Sequence, residues 1–253
     1  MRFFQFGRGA KPLVILPGLS VQSVMNAADA IADAYAPLAE DFTLYVFDRR
    51  ESLPPGYSLV DMARDTAAAM RALGLSDVCL FGASQGGMIA LLIAIEHPEL
   101  VARLTLGSST AQVTDGASGV IDRWVRLAEQ KDGAALYLDF GRAVYPPPVF
   151  EAYREALINA GETVTDGEFT RFIALANATR GFDVRDRLAL IRCPVLLLGA
   201  ADDAVLGGDS TPQTAAVFGD RPDLQTHLYR GFGHAAFDTA PDYKERLLRF
   251  FAG

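Results

Sequence analysis

Val78-Cys79-Leu80-Phe81, then Gly82-Ala83-Ser84-Gln85-Gly86-Gly87, then Met88-Ile89-Ala90-Leu91-Leu92-Ile93-Ala94-Ile95 is the stretch that decides the fold. A short apolar run reads as a buried strand, and the longer apolar run after the glycines reads as a helix. Between them a serine sits in a Gly-x-Ser-x-Gly turn. That junction is the geometry that exposes a strained nucleophile at the top of a sheet. Side chains at 82 or 86 would crowd the place where strand and helix approach each other.

Outward from this turn, strand and helix signals alternate. Leu13-Val14-Ile15-Leu16 reads as a strand, followed by the turn Pro17-Gly18-Leu19-Ser20. A helix is predicted over 23–39, with Ala27, Ile31, Ala34 and Leu38 on one face. Phe42-Thr43-Leu44-Tyr45-Val46-Phe47 is the next strand. A helix over 58–73 ends at Gly74. Glu96-His97-Pro98 closes the serine helix, since proline cannot extend it, and 101–107 reads as another strand. Apolar strands alternating with helices predict a mainly parallel sheet wrapped on both faces.

The alternation breaks over 112–185, where helical patterns run at 119–130, after Asp132, at 149–159 and at 168–179. An insertion after a strand's C-terminal end would lie over the strand tips, where ligands bind in open α/β sheets. The expected organisation is therefore a core of 1–111 and 186–253 with a helical lid at 112–185. Strand 194–199, helix 211–218, strand 224–229 and a last helix opened by Pro241 complete the core.

The 253 residues are half apolar and 21% charged, the composition of an ordinary globular domain. The formal charge of −8 argues against a nucleic-acid partner, which would need a basic footprint. No apolar run approaches the ~18 residues of a membrane span. The first residues, Met1 to Gly7, lack a signal-peptide pattern, so the expected location is cytoplasmic. Cys79 and Cys193 lie in or beside strand-like runs and are expected to be buried free thiols. No metal-ligand spacing and no phosphate loop is present. The expected partner is a small-molecule substrate, and the oligomeric state is open.

Serine needs a base. His97 beside a helix-ending proline reads as structural, and His227 within a strand as a satisfied or surface residue. His234 lies in a glycine-flanked loop after a strand end, so it is the expected general base. The base needs a carboxylate to fix its tautomer. Asp202 and Asp203 both follow the strand at 195–198. The order Ser84, Asp202, His234 fits this kind of elbow, and Asp203 is the alternative because spacing cannot aim adjacent loop side chains. The N–H groups of Leu19 and Gln85 are the candidate oxyanion donors.

The chain resembles the α/β-hydrolase-fold enzymes with a helical cap, over nearly its whole length. The resemblance rests on Leu16-Pro17-Gly18-Leu19, Gly82-Ala83-Ser84-Gln85-Gly86-Gly87, His97-Pro98-Glu99-Leu100-Val101, Gly199-Ala200-Ala201-Asp202 and Gly231-Phe232-Gly233-His234. It implies a lid inserted after the sixth strand, Asp202 rather than Asp203 as the acid, Leu19 and Gln85 as oxyanion donors, and no cofactor. Two places depart from the family pattern. Many relatives carry His-Gly where this chain has Pro17-Gly18. The glycine turn expected after Asp48-Arg49-Arg50 is missing, which leaves an arginine there as a candidate for a substrate carboxylate or, more simply, a structural ion pair.

The expected activity is hydrolysis of a small carboxylic ester, lactone or thioester through an acyl-enzyme. C–C, amide or hydroxynitrile cleavage and a non-catalytic receptor of the same fold are the alternatives. Serine at 84 disfavours chemistry that needs an aspartate nucleophile. Trp124, Tyr137, Phe140, Tyr145 and Phe150 of the lid read first as packing residues, with a modest apolar pocket for short acyl chains as the functional expectation.

Overall fold

The computed structural model describes residues 1–253. Strands β1 (Phe3–Gly7), β2 (Lys11–Leu16), β3 (Phe42–Phe47), β4 (Val78–Ala83), β5 (Val101–Gly107), β6 (Val195–Ala200) and β7 (Leu224–Tyr229) form one sheet in the order β1-β3-β2-β4-β5-β6-β7. Every pairing is parallel except β1 with β3. All six residues of β4 and of β6 are buried, as a strand covered by helices on both faces requires.

Helices α1 (Ala28–Ala34), α2 (Leu59–Ala72) and α3 (Gln85–Glu96) precede the insertion. Ser58 and Asp61 close a reciprocal capping box at the start of α2, worth about 1 kcal/mol. Residues 85–95 of α3 are all buried, so its apolar surface runs all round rather than along one stripe.

Between β5 and β6 come α4 (Asp115–Glu129), α5 (Gly133–Val144), α6 (Pro147–Glu162) and α7 (Asp166–Asn177). In this group α5 packs on α6 and α4 on α7. The prolines at 146–148 start a helix rather than break one: Pro146 is the N-cap and Pro147 the first helical residue. Helices α8 (Ser210–Phe218), α9 (Ala236–Thr239) and α10 (Tyr243–Ala252) complete the chain. No helix is long and apolar enough to cross a membrane.

Two expectations need correction, and one strand went unforeseen. The helical insertion follows the fifth of seven strands, not the sixth. The helix expected over 23–39 is a 3-10 turn at Val24–Ala27, the seven residues of α1 and a second 3-10 turn at Ala36–Leu38. Pro37 has no N–H to continue α1, and the residues it buries are Tyr35 and Leu38 rather than Ala27 and Ala34. Finally, β1 carries no continuous apolar run. It is an edge strand, alternately exposed and half-buried, held by its antiparallel pairing with β3.

Candidate active site

Ser84 stands between β4 and α3 with φ 51° and ψ −121°. A non-glycine residue in that region stores roughly 1–3 kcal/mol of strain, held by its surroundings. Its N–H donates to Gly107 O at 2.8 Å, and its carbonyl accepts from Ser109 Oγ at 2.8 Å. The glycine spacing has a steric reason. A Cβ on Gly82 would lie 2.4 Å from Gly86 O, and one on Gly86 would lie 1.9 Å from Leu16 O. The turn closes only because both are bare.

The loop after β2 lies against the serine. A Cβ built on Gly18 would sit 3.2 Å from Ser84 Cβ and 3.9 Å from Ser84 Oγ. Leu19 is the next residue, so its N–H belongs to the loop flanking Ser84. Gln85 is the first residue of α3, and its N–H therefore has no acceptor inside the helix. The Gln85 side chain is buried and donates Nε2–H to Leu175 O at 2.7 Å, tying α7 to the elbow.

His234 is buried, with Nδ1 2.8 Å from Asp203 Oδ2. Asp203 is buried too, and its other oxygen accepts the N–H groups of Val205 and Leu206 at 2.8 and 2.9 Å. Burial alone would raise the Asp203 carboxyl. The facing His234 and these two N–H groups outweigh it and hold the carboxyl below its ordinary range. The Asp203 contact uses Nδ1 of His234 and leaves its Nε2 without a hydrogen-bond partner in the protein.

The expectation of Asp202 as the partner of His234 is corrected. Its carboxylate is exposed and accepts Gly231 N–H at 3.1 Å and Gly233 N–H at 3.0 Å. Adjacent side chains on the turn after β6 diverge. Asp202 points outward and clamps the glycine loop that carries His234, while Asp203 points inward and meets the ring. The trace in the sequence is Val205-Leu206, an apolar pair placed so that its amides solvate a buried aspartate.

The arginines after β3 resolve as structural groups. Arg49 is buried, and its Nη2 donates to Pro17 O at 2.6 Å, fixing the loop beside Ser84. Burial, partly offset by Asp48, lowers its guanidinium to about 10. Asp48 accepts from Ser23 Oγ at 2.5 Å, from Arg49 N–H at 2.7 Å and from Arg171 Nη2 at 2.8 Å. A chain of hydrogen bonds thus runs from Arg171 on α7 through Asp48 and Arg49 to the Pro17 carbonyl. Arg50 is exposed and reaches Asp65 at 3.4 Å.

The insertion also touches the histidine loop, where Ala235 N–H donates to Val144 O at 2.9 Å. Tyr137 OH donates to Gln22 Oε1 at 3.0 Å. Trp124 and Phe150 are buried, and Trp124 packs on Phe140 with centroids 4.5 Å apart, so these aromatics serve packing. His97 lies on the surface against Arg71, and His227 on β7 packs edge-on against Tyr229. Cys79 and Cys193 are free thiols, Cys79 buried and Cys193 half-buried.

The family description "alpha/beta hydrolase fold" matches residues 11–241. A protein of Cronobacter sakazakii named as a candidate carbamate hydrolase, RutD, is 29% identical over 255 residues, covering 95% of this chain and 90% of its own. The crystal structure of MGS-M2, an alpha/beta hydrolase enzyme from a Medee basin deep-sea metagenome library, superposes with a TM-score of 0.86 at 19% identity, over 100% of this chain and 94% of that one. The enol-lactonase of Burkholderia xenovorans gives 0.82 at 17% identity, over 100% and 96%. With its serine elbow, paired histidine and aspartate and parallel sheet, the chain belongs to the α/β hydrolase fold family.

Proposed function

We propose that this hydrolase cleaves a small carboxylic ester, lactone or thioester through an acyl-enzyme, with Ser84 as nucleophile, His234 as base and Asp203 as its orienting acid. The observation that carries the reading is the buried 2.8 Å contact between His234 Nδ1 and an ionised Asp203, which leaves Nε2 open. A carboxylate there keeps the ring proton on Nδ1, so Nε2 accepts the Ser84 hydroxyl proton as Oγ attacks the carbonyl. The N–H groups of Leu19 and Gln85 receive the oxyanion. His234 then protonates the leaving group. A water deprotonated by Nε2 attacks the acyl-enzyme, and the acid departs as Ser84 is restored.

Residues 112–185 are proposed to act as the lid, because α7 and the end of α5 bond directly to the neighbours of Ser84 and His234. We place the protein in the cytoplasm, with a small molecule as its partner. The similarity to the candidate carbamate hydrolase favours a second reading, attack on a carbamate carbonyl by the same groups. A turnover screen of short esters, lactones, thioesters and carbamates with Ser84→Ala as the blank separates the two. Ester-type turnover above the blank supports the first reading. Turnover of carbamates alone selects the second, and no turnover of any class refutes both.

A further inference from the structure

On the sheet face that carries α1, α9 and α10, a cleft of about 180 Å³ reaches the nucleophile turn from behind. Ile31, Tyr35, Phe81 and Phe237 line it together with Gly18 and Ala83 beside the serine turn, and Asp238 is its one charged group. None of its lining residues comes from 112–185, so this approach is separate from the helices that pack over the strand tips. The cleft is close to the chemistry, since Gly18 in its lining leaves room for no side chain against Ser84, where a Cβ would lie 3.2 Å from Ser84 Cβ, and the Phe237 ring is edge-on to His234 at 6.2 Å.

The lining is chemically specific. Three aromatic rings and one carboxylate around a small volume recognise an organic cation: the carboxylate supplies charge, and the ring faces supply quadrupole attraction. An ammonium group already rests on one of these rings. Lys244 Nζ sits 4.7 Å from the Tyr35 centroid and donates to Phe237 O. That bond holds Lys244 to the backbone, and Asp238 receives no hydrogen bond from it or from any other group. At roughly 30 Å³ per water, the cleft takes a body of about four to six non-hydrogen atoms.

We infer that this cleft binds a small primary ammonium group against Asp238 and, resting on the hydrolase reading above, that it seats the leaving group of amine-bearing substrates. The titratable groups that face Asp238 are Lys244 and Tyr243 on α10, Tyr35 after α1, Tyr145 after α5, and His234. Although Asp238 opens to the cleft, the protein wall around it raises its carboxyl to about 6. Ammonium binding therefore requires pH above that titration and weakens as Asp238 takes up a proton.

The test is calorimetric titration of Ser84→Ala protein with n-propylammonium chloride, with n-propanol as the neutral control. The expected result is saturable binding at pH 8, at least about tenfold tighter than n-propanol and about tenfold weaker at pH 5. Asp238→Asn in the same background should lose the preference. Ile31→Trp, which fills the cleft without touching the carboxylate, should abolish binding even where Asp238→Asn fails to fold. Equal affinity for the two probes, or a preference that survives Ile31→Trp, overturns the site. Because Ser84→Ala has no turnover, these results stand apart from the hydrolase reading. The leaving-group role is read in the active enzyme from kcat/KM for 2-aminoethyl acetate relative to propyl acetate. A ratio near one in the unmodified protein overturns it.

Discussion

Replacing Asp203 and Asp202 one at a time by asparagine separates two side chains that are adjacent in sequence and opposite in role. In Asp203→Asn the amide NH2 can face His234 Nδ1, which must then accept, so the ring proton moves to Nε2. Nε2 is then a donor and cannot take the Ser84 hydroxyl proton in the proposed mechanism. The remaining amide oxygen still accepts from Val205 and Leu206, so the fold is kept. An equivalent tautomer error in serine hydrolases costs roughly 10⁴ in kcat, or about 5.5 kcal/mol of barrier. Asp202→Asn instead gives up one of two acceptor oxygens on the exposed glycine loop. That loss is about 1 kcal/mol of stability, with kcat falling less than tenfold. The assay is p-nitrophenyl acetate turnover at pH 8, with thermal melts of both variants. Comparable loss of kcat in the two, or more than a tenth of the activity left in folded Asp203→Asn, refutes the assignment.

Other perturbations read the surrounding structure. Arg171→Met removes the partner of Asp48 in a pair whose side chains are 11% and 7% exposed. Breaking such a buried pair should cost about 3–5 kcal/mol, seen as a lower denaturation midpoint, and an unchanged midpoint contradicts it. Asp238 makes the opposite kind of contribution to pH dependence. Its folded carboxyl is raised, so its effect is fully favourable below the ordinary aspartate range and is lost as pH rises through about 6. Asp238→Asn should therefore raise the melting temperature more at pH 8 than at pH 5, and a larger gain at pH 5 would reverse the sign. Asp203, with a lowered carboxyl, stabilises the fold above the ordinary aspartate range and loses that effect as pH falls below it. Asp203→Asn should therefore narrow the stability difference between pH 6 and pH 3, measured by denaturant midpoints.

The elbow was legible because β4, Ser84 and α3 are contiguous and their pattern is local: an all-buried strand, bare glycines and an all-apolar helix. The four helices of the insertion were legible as helical patterns with no strand among them. What escaped depends on partners distant in sequence. The strand β1 exists through β3, and its half-exposed alternation resembles a loop end. The break after α1 follows from Pro37, a local signal outweighed by alanine-rich periodicity. The exchange of Asp202 for Asp203 lies below the resolution of spacing, since one residue along a turn reverses which side faces the histidine. Asp238 carried no motif at all. Its setting is made by Tyr35 and Phe81, far back in the chain, and by Lys244 on α10.

The most direct test is intact-mass analysis after reaction with a fluorophosphonate, followed by peptide mapping. The account predicts one adduct per chain, located on Ser84, formed rapidly by the unmodified protein and by Asp202→Asn, and absent from His234→Ala. A folded protein that takes up no label at saturating reagent, or one labelled elsewhere than Ser84, would contradict it.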